Sequence, residues 1–308
     1  MKIMKLFLPL TEVWANQPSF MRSIILMIAS TFFAVMMHVS VRINTAELHP
    51  FEVAFFRSLF GFIIILPMII QSRFIFVRTT KFKLHLIRGL LNTTSMLMFF
   101  TSLGLISLAR VNSLSFTAPI FLAILSFIFL GERFLIYRWL AIIMGFVGML
   151  IILRPGWLEI DKGSILVIGS ALFWAGSMLF IKILSKTENS LTIVAWMGVT
   201  TMCLSFLPAL MVWQTPDSHQ LMWLVVIGCL GSATQLTISQ AFKEADPTLL
   251  MPFDYVKLIW GVVFGFWLFG EIPDVFTWVG GTIIFVSGVF IALREKRSNT
   301  QHSRNIEL

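Results

Sequence analysis

Two oppositely charged residues lie three positions apart in the otherwise apolar segment PFDYVKLIWG, residues 252–261. The flanking runs, DPTLLM and VVFGFWLF, are typical of a helix that crosses a membrane. A charged side chain at the centre of such a helix costs about 2.5 to 3.5 kcal/mol, so it usually faces a cavity or a partner. We expect Lys257 to meet an anionic or carboxylate group of a substrate, with Asp254 as its counter-charge and as a candidate proton site. The alternative is a mutual ion pair that only fixes packing.

Helical spacing places this pair on the same side of the helix as two glycines. With Asp254 at zero on a helical wheel, Lys257 lies at about −60°, Gly261 at about −20° and Gly265 at about +20°. Glycines spaced G-x-x-x-G allow another helix to come close. This face is therefore predicted to point into a helix bundle and away from lipid.

Four further residues are candidates for substrate binding. Arg57 lies deep in a second apolar run, where it either lines a cavity or pairs with Glu52 or Asp254. Asn92 is predicted to lie deep in the third run, where its amide can form hydrogen bonds. Trp174 and Tyr255 are predicted near the middle of the membrane, where they either pack or stack on a flat heterocycle.

Other polar residues have structural explanations. Glu52 follows Pro50 in the first turn of a helix, where a carboxylate stabilises the positive helix end. Arg88 lies near a membrane edge and is expected to extend its side chain to the surface. His38 is expected to be a buried, hydrogen-bonded histidine.

The composition identifies the class of protein. Of the 308 residues, 57% are hydrophobic and only 12% are charged, against about 25% charged in an ordinary globular chain. Charged residues this sparse cannot coat a soluble surface, so we predict a polytopic membrane protein. The net charge of +8 reflects loop asymmetry, since no basic stripe for nucleic acid is present. No cofactor or metal site is indicated, and the two cysteines do not make a disulfide framework.

The predicted fold class is an all-α membrane protein with ten transmembrane helices. Helices of roughly 20 residues are needed to cross the hydrocarbon core. Apolar runs of that length occupy residues 22–42, 51–71, 84–103, 107–130, 137–154, 163–183, 190–213, 219–241, 247–269 and 275–293.

The distribution of Lys and Arg predicts the orientation, because cytoplasmic loops retain these residues. Sixteen fall on the side that holds both termini: Lys2, Lys5, Arg22, Arg73, Arg78, Lys81, Lys83, Arg133, Arg138, Lys182, Lys186, Lys243, Arg294, Lys296, Arg297 and Arg304. Four fall on the other side: Arg42, Arg110, Arg154 and Lys162. Both termini are therefore predicted in the cytoplasm of a protein of the cell's inner membrane.

An internal repeat divides the chain into two related halves. Displacing the sequence by 139 to 141 residues aligns Gly131-Glu132 with Gly270-Glu271, Pro67 with Pro208, Trp139 with Trp278 and Gly148 with Gly288. An odd number of spans in each half makes the halves antiparallel, a design that recurs in secondary transporters with a substrate site between the halves. Duplication for stability or dimerisation alone is the alternative.

The repeat ends resemble a known family. The segment APIFLAILSFIFLGERFLIYRWLAIIMGFVGMLIILRP, residues 118–155, is similar to the closing pattern of each repeat in the EamA branch of the drug/metabolite transporters. HPFEVAFFR, IRGLLN and PFDYVKLIWGVVFGFWLFGEIPD look like a subgroup that includes S-adenosylmethionine uptake carriers, and other members with these motifs are thought to carry riboflavin. The resemblance implies ten spans, cytoplasmic termini and alternating access around a central cavity.

The domain boundaries follow from the repeat and the resemblance. We expect a cytoplasmic tail at 1–21, EamA-like repeats at 22–155 and 163–294, and a second tail at 295–308.

The sequence therefore predicts a secondary transporter, and not an enzyme, that moves a medium-sized polar metabolite with a flat ring and a charged group. No phosphate-binding loop for ATP is present in the sequence. S-adenosylmethionine-like compounds, riboflavin, amino acids and drugs stay open as cargo, and a proton or counter-substrate as the coupled partner. The alternatives of another class are a membrane enzyme and a receptor or scaffold, and the oligomeric state is open.

Overall fold

The structure, a computed structural model, describes residues 19–71, 79–130, 136–154, 161–184, 187–188, 190–244, 250, 253–254, 256–287 and 289–290. These residues form helices joined by short turns, and this part of the chain contains no strand. The two predicted tails lie almost wholly outside the described residues.

In the first half, the helices are α1 (Ser19–Asn44), α2 (Pro50–Gln71), α3 (Phe82–Leu103), α4 (Leu108–Ser115), α5 (Ala118–Leu130) and α6 (Ile136–Leu153). In the second half, they are α7 (Lys162–Leu184), α8 (Ser190–Leu210), α9 (Ser218–Glu244), α10 (Val256–Phe269) and α11 (Val275–Ser287).

The lengths and composition of these helices agree with an all-helical membrane protein. Within the described residues, six stretches are long and apolar enough to cross a bilayer, one of which contains a turn: Ser19–Asn44, Pro50–Pro67, Leu108–Phe129, Lys162–Ile181, Thr192–Leu210 and Ser218–Ile238. Shorter apolar helices occupy Ile143–Leu153, Val256–Phe269 and Val275–Ser287. Large apolar side chains are exposed on these outer helices, for example Phe129 at 68% and Trp267 at 75%, as lipid-facing residues would be.

The fourth predicted span differs from expectation because its helix is broken. A turn at residues 116–117 separates α4 from α5, whereas the sequence analysis predicted one helix over 107–130. A proline at position 119 accounts for the break, because proline has no N–H to donate to the carbonyl four residues earlier. The Ser115 and Thr117 hydroxyls donate to the carbonyls of Asn112 and Leu114, at 2.7 and 2.8 Å, which satisfies part of the exposed end of α4.

The helix contacts follow a pattern that relates the two halves. Helix α1 packs on α9 and α3 packs on α7, while α2 packs on α8. In the same way, α2 contacts α9 as α8 contacts α3, and α10 contacts α1 as α5 contacts α7. In this comparison α1 corresponds to α7, α2 to α8, α3 to α9 and α5 to α10. When each helix is replaced by its counterpart, every contact named above becomes another contact that is also present.

Glycines allow the closest of these approaches. A methyl group added to Gly148 on α6 would lie 2.7 Å from the carbonyl oxygen of Gly280 on α11. A methyl group added to Gly280 would lie 2.6 Å from Ile152 Cγ1. Both glycines are buried, so α6 and α11 contact each other through their backbones.

Replacing Gly148 by Leu is therefore expected to lower the thermal unfolding temperature of the detergent-purified protein. Overpacking costs about 1 to 3 kcal/mol, because the two helices must separate. Gly104→Ala is the control, since its added methyl group would be 3.4 Å from Thr45 Oγ1, an ordinary contact. Equal unfolding temperatures for the Gly148→Leu variant and the unmodified protein would contradict the close approach of α6 and α11.

Candidate functional site

Asp254 and Lys257 form an ion pair at the start of α10. The Lys257 Nζ and Asp254 Oδ1 atoms are 2.5 Å apart, and the side chains are 23% and 21% exposed. Gly261 and Gly265 are both buried: a methyl group added to Gly261 would collide with Asn112 of α4, and one added to Gly265 would lie 3.3 Å from Glu271 Oε2 and 3.8 Å from Leu108 Cβ. This confirms the expectation that the glycine face of this helix points into the bundle.

Asn112 of α4 and His38 of α1 lie beside this face. Asn112 is 1% exposed, and its side chain lies near the His38 imidazole. Lys257 and Arg57, which come from different halves of the chain, both lie near enough to His38 for their charges to act on its imidazole. We call His38, Arg57, Asn112, Asp254 and Lys257 the central polar cluster.

The Arg57 guanidinium has only weak acceptors. Its Nε is 3.5 Å from the sulfur of Met37 and its Nη1 is 3.4 Å from the sulfur of Met96. A thioether is a poor hydrogen-bond acceptor. Among the described residues no carboxylate forms an ion pair with Arg57, so the predicted pairing with Glu52 or Asp254 is not found.

Arg57 also lines a cleft between α2, α8 and α9. The cavity has a volume of about 40 Å³, which is room for a few water molecules. Its lining includes Arg57, Ser58, Gly61, Met197, Thr201 and Gln235. The expectation that Arg57 lines a cavity agrees with this position.

The other predicted site residues are less closely connected to the cluster. Asn92 Nδ2 donates to Thr201 Oγ1 at 3.3 Å, so Asn92 lies behind a residue that lines the cleft. Trp174 is half-buried on α7. In the described part of the chain, no recorded interaction joins Trp174 to the cluster. Tyr255 lies outside the described residues.

Two structural expectations have different outcomes. Arg88 does not extend to the surface: it is 3% exposed, and it donates to the Ile193 carbonyl at 2.7 Å and to the Met197 sulfur at 3.1 Å. The prediction was wrong because Arg88 faces α8 instead of lipid. Glu52 does lie in the first turn of α2, where its Oε1 accepts a hydrogen bond from the Gln214 backbone N–H at 2.7 Å.

Polar contacts join the two halves at both ends of the bundle. At one end, Arg42 pairs with Glu271, whose Oε2 also accepts from the Leu108 N–H at 3.0 Å. At the other end, Arg22 and Glu244 are 3.0 Å apart. Ion pairs between the halves therefore lie on either side of the central polar cluster.

A second ion pair at the Glu271 end, between Arg154 and Asp274, also connects the halves. Partial burial acts to raise the pKa of Asp274, but hydrogen bonds from Thr277 and the charge of Arg154 outweigh it and lower the pKa. Asp274 therefore carries its negative charge at neutral pH and keeps the pair with Arg154.

Sequence reasoning missed Asn112, and it assigned His38 a structural role only. The one available signal for Asn112 was an amide in the mainly apolar and small-residue run LARVNSLSF. Its meaning depends on the long-range approach of Gly261, about 150 positions later, which no local pattern specifies.

The comparisons with known proteins agree with the helical architecture. The model of the EamA-like transporter family matches the chain twice, at residues 21–154 and 161–293. A solved crystal structure superposes with a TM-score of 0.62 over 88% of this chain and 98% of that chain, at 15% sequence identity, which shows a common fold.

Two relatives carry functional names. The S-adenosylmethionine uptake transporter of Rickettsia prowazekii is 30% identical over 252 residues, which cover 82% of this chain and 86% of that protein. The riboflavin transporter of Vibrio cholerae is 33% identical over 233 residues, which cover 75% of this chain and 78% of that protein. The chain therefore belongs to the EamA-like transporter family, as a multi-pass membrane protein that transports a small molecule and is not an enzyme.

Proposed function

We propose that this chain is a secondary carrier that moves a flat-ring, charged metabolite such as S-adenosylmethionine across the cytoplasmic membrane. Arg57, Asn92, Trp174, Asp254, Tyr255 and Lys257 are the proposed substrate-binding residues. The observation that carries the proposal is the half-buried Arg57 guanidinium, which lines a cleft and, within the described residues, has thioether sulfurs as its hydrogen-bond acceptors. An anionic group of the cargo would supply its missing partner.

The charge balance of the central polar cluster supports an anionic group on the cargo. Arg57 and Lys257 are cationic and Asp254 is the one carboxylate of the cluster, so the cluster carries one excess positive charge when His38 is neutral. A carboxylate of the cargo would neutralise that charge, and Asp254 would stay available for a cationic group. A metabolite that carries both kinds of charge would therefore fit the cluster.

The helix contacts support two antiparallel repeats. The exchange of α1 with α7, α2 with α8 and α3 with α9 preserves the packing partners. With a displacement of 139 residues, Ser115 corresponds to Asp254 and Ala118 to Lys257. The helix break of the first half and the charged pair of the second half therefore occupy equivalent positions, as is common around transporter sites.

The small cavity supports alternating access. A cavity of about 40 Å³ is much smaller than the roughly 300 to 1,000 Å³ of ordinary ligand pockets. Contacts between the halves at both ends further restrict entry. The halves must therefore move apart at one end before a flat heterocycle can enter, and close again before the other end opens.

Riboflavin is the second candidate cargo. The observation that favours it is the 33% identity to a protein named as a riboflavin transporter. Its isoalloxazine ring is also flat and rich in hydrogen-bonding groups, but it has no carboxylate to meet Arg57. The two cargoes therefore differ in how much they need the cationic residues.

Replacing Lys257 by Met is expected to lower uptake of radiolabelled S-adenosylmethionine into proteoliposomes by at least about 30-fold. Loss of a buried charge contact costs about 2 kcal/mol or more, and about 1.4 kcal/mol corresponds to a factor of ten. Lys83→Met is the matched control, because Lys83 is exposed at the start of α3.

A double variant, Asp254→Asn with Lys257→Met, separates transport from folding. It leaves no unpaired carboxylate, so it should fold as well as the unmodified protein and still fail to transport. Full uptake by the double variant would show that Lys257 only pairs with Asp254. If the unmodified protein moved neither S-adenosylmethionine nor riboflavin, the proposed cargo class would be wrong.

Cysteine labelling tests the antiparallel repeats. Cys203 and Cys229 are both exposed, so they are first replaced by Ser. Single cysteines are then placed at Thr80 and Thr215, which are exposed in equivalent loops of the two halves. In right-side-out membrane vesicles, an impermeant maleimide should label Thr215→Cys directly and Thr80→Cys only after the vesicles are opened.

This outcome follows from the positive charge on the Thr80 side. Parallel repeats would put both cysteines on the same side, and the opposite pattern of labelling would place the termini outside.

A further inference from the structure

Within the described residues, His38 and Asn112 of the central polar cluster each have a buried nitrogen without a hydrogen-bond partner, and Trp260, on the same helix as Lys257, has another. The three atoms are His38 Nδ1, Asn112 Nδ2 and Trp260 Nε1. Buried polar groups are nearly always hydrogen-bonded, and an unsatisfied one costs about 1 to 3 kcal/mol. Unsatisfied groups from α1, α4 and α10 near one cluster indicate a place that a ligand completes.

Asn112 and His38 are held in place from several directions. Asn112 Nδ2 and His38 Nδ1 have no hydrogen-bond partner within the described residues. The His38 ring packs against Phe99, with centroids 4.8 Å apart. Asn112 packs against Gly261, where an added methyl group would collide with its amide. The positions of these groups are therefore fixed before any ligand arrives.

Aromatic rings lie along the same helices. Phe32 on α1 packs edge-on against Trp260 on α10, with centroids 5.5 Å apart. Phe32 also lies 6.0 Å from Phe264, one turn further along α10. These rings form an apolar wall between α1 and α10, and Trp260 in this wall carries one of the unsatisfied nitrogens. A flat ring is the kind of group that such a wall and such a polar edge would both contact.

We propose that Asn112 and His38 bind the hydrogen-bonding edge of an uncharged heterocyclic ring of the cargo and thereby determine which ring is accepted. This inference rests on the proposed carrier function and adds a specificity site to it. A carboxamide presents donors and an acceptor side by side, which matches ring edges that carry a donor next to an acceptor, such as that of adenine. The charged part of the cargo then contacts Lys257 and Arg57.

The location of Asn112 favours a role in binding as well as in packing. A purely structural asparagine would satisfy its amide within the fold, as Asn44 does by donating from Nδ2 to the Ser40 carbonyl at 2.9 Å. Asn44 is also buried, at 4% exposure. Asn112 is also buried, but its amide donor is unused among the described residues. It contacts Gly261 of α10, which lies one helical turn from Lys257.

The test uses two pairs of probes that differ only at the ring edge. S-adenosylhomocysteine and S-inosylhomocysteine differ in one ring substituent, an amine in the first and a carbonyl in the second. Riboflavin and 3-methylriboflavin differ in one N–H. Each compound is used to inhibit uptake of radiolabelled S-adenosylmethionine and radiolabelled riboflavin into proteoliposomes that contain the full-length protein.

For the unmodified protein, the inhibition constants of the two compounds are expected to differ by about tenfold or more in at least one pair. One or two hydrogen bonds to the ring edge would give a ratio of this size. Asn112→Leu should reduce that ratio to below about threefold, and His38→Phe should reduce it in the same direction. Asn44→Leu is the matched control and should keep the discrimination of the unmodified protein. Lys257→Met, measured by inhibition of riboflavin uptake, should weaken both members of the S-adenosylmethionine-like pair equally and keep their ratio.

The outcomes separate this inference from the proposed function. Uptake with no discrimination in either pair, or an unchanged ratio in Asn112→Leu, overturns the ring-edge site and leaves the carrier function in place. Absence of uptake of both labelled compounds by the unmodified protein overturns both proposals. If Asn112→Leu does not fold, Asn112→Asp, which keeps the size and removes the amide donors, is measured in the same way. A ratio unchanged in Asn112→Asp would also overturn the site.

Discussion

The cost of holding two cations inside a membrane protein is the constraint on which the rest of the arrangement depends. Lys257 is stabilised by an ion pair with Asp254, whose Oδ1 is 2.5 Å from the Lys257 Nζ. In the part of the chain that the structure describes, the hydrogen-bond acceptors of Arg57 are the sulfurs of Met37 and Met96. A guanidinium in an apolar bundle is tolerated only where it faces protein, water or a ligand instead of lipid. Helices of both halves must therefore surround these side chains, and their contacts with lipid must be made by other faces.

Small residues make this enclosure possible. Gly261 and Gly265 let α10 approach α4 closely enough for Asn112 to lie one turn from Lys257. Gly231 has the same role beside Arg57, because an added methyl group would lie 3.2 Å from the Arg57 Nε. In a bilayer the hydrophobic effect does not drive helices together, so close packing of this kind supplies much of the association. The glycine spacing and the polar cluster are thus parts of one arrangement, since larger residues would move the polar groups apart.

Much of the helical fold and one part of the site could be predicted from the sequence. Hydrophobic length located the helices, and helical periodicity placed Asp254 and Lys257 on the face of Gly261, because both depend on local geometry. The prediction for Arg88 was wrong, since it assumed a lipid-facing side chain, whereas α3 packs on α8 and Arg88 donates a hydrogen bond to the Ile193 carbonyl. The break at residues 116–117 was missed, although Pro119 was visible, because prolines in membrane helices often bend a helix without ending it. The site contributions of Asn112 and His38 arise from contacts between distant helices.

The positions of the helix break and the charged pair connect the fold to its proposed transport cycle. The break at residues 116–117 ends α4 just after Asn112, and the equivalent stretch of the second half carries Asp254 and Lys257. In a pair of related halves, one half then presents an amide and the other presents charges at the same level of the bundle. A cargo that uses both would bind most tightly when the halves are together, and its contacts would weaken as they separate at either end. The ion pairs Arg42–Glu271 and Arg22–Glu244 lie where such separation would have to break them, so cargo binding and the opening of each end would be coupled through the same relative motion.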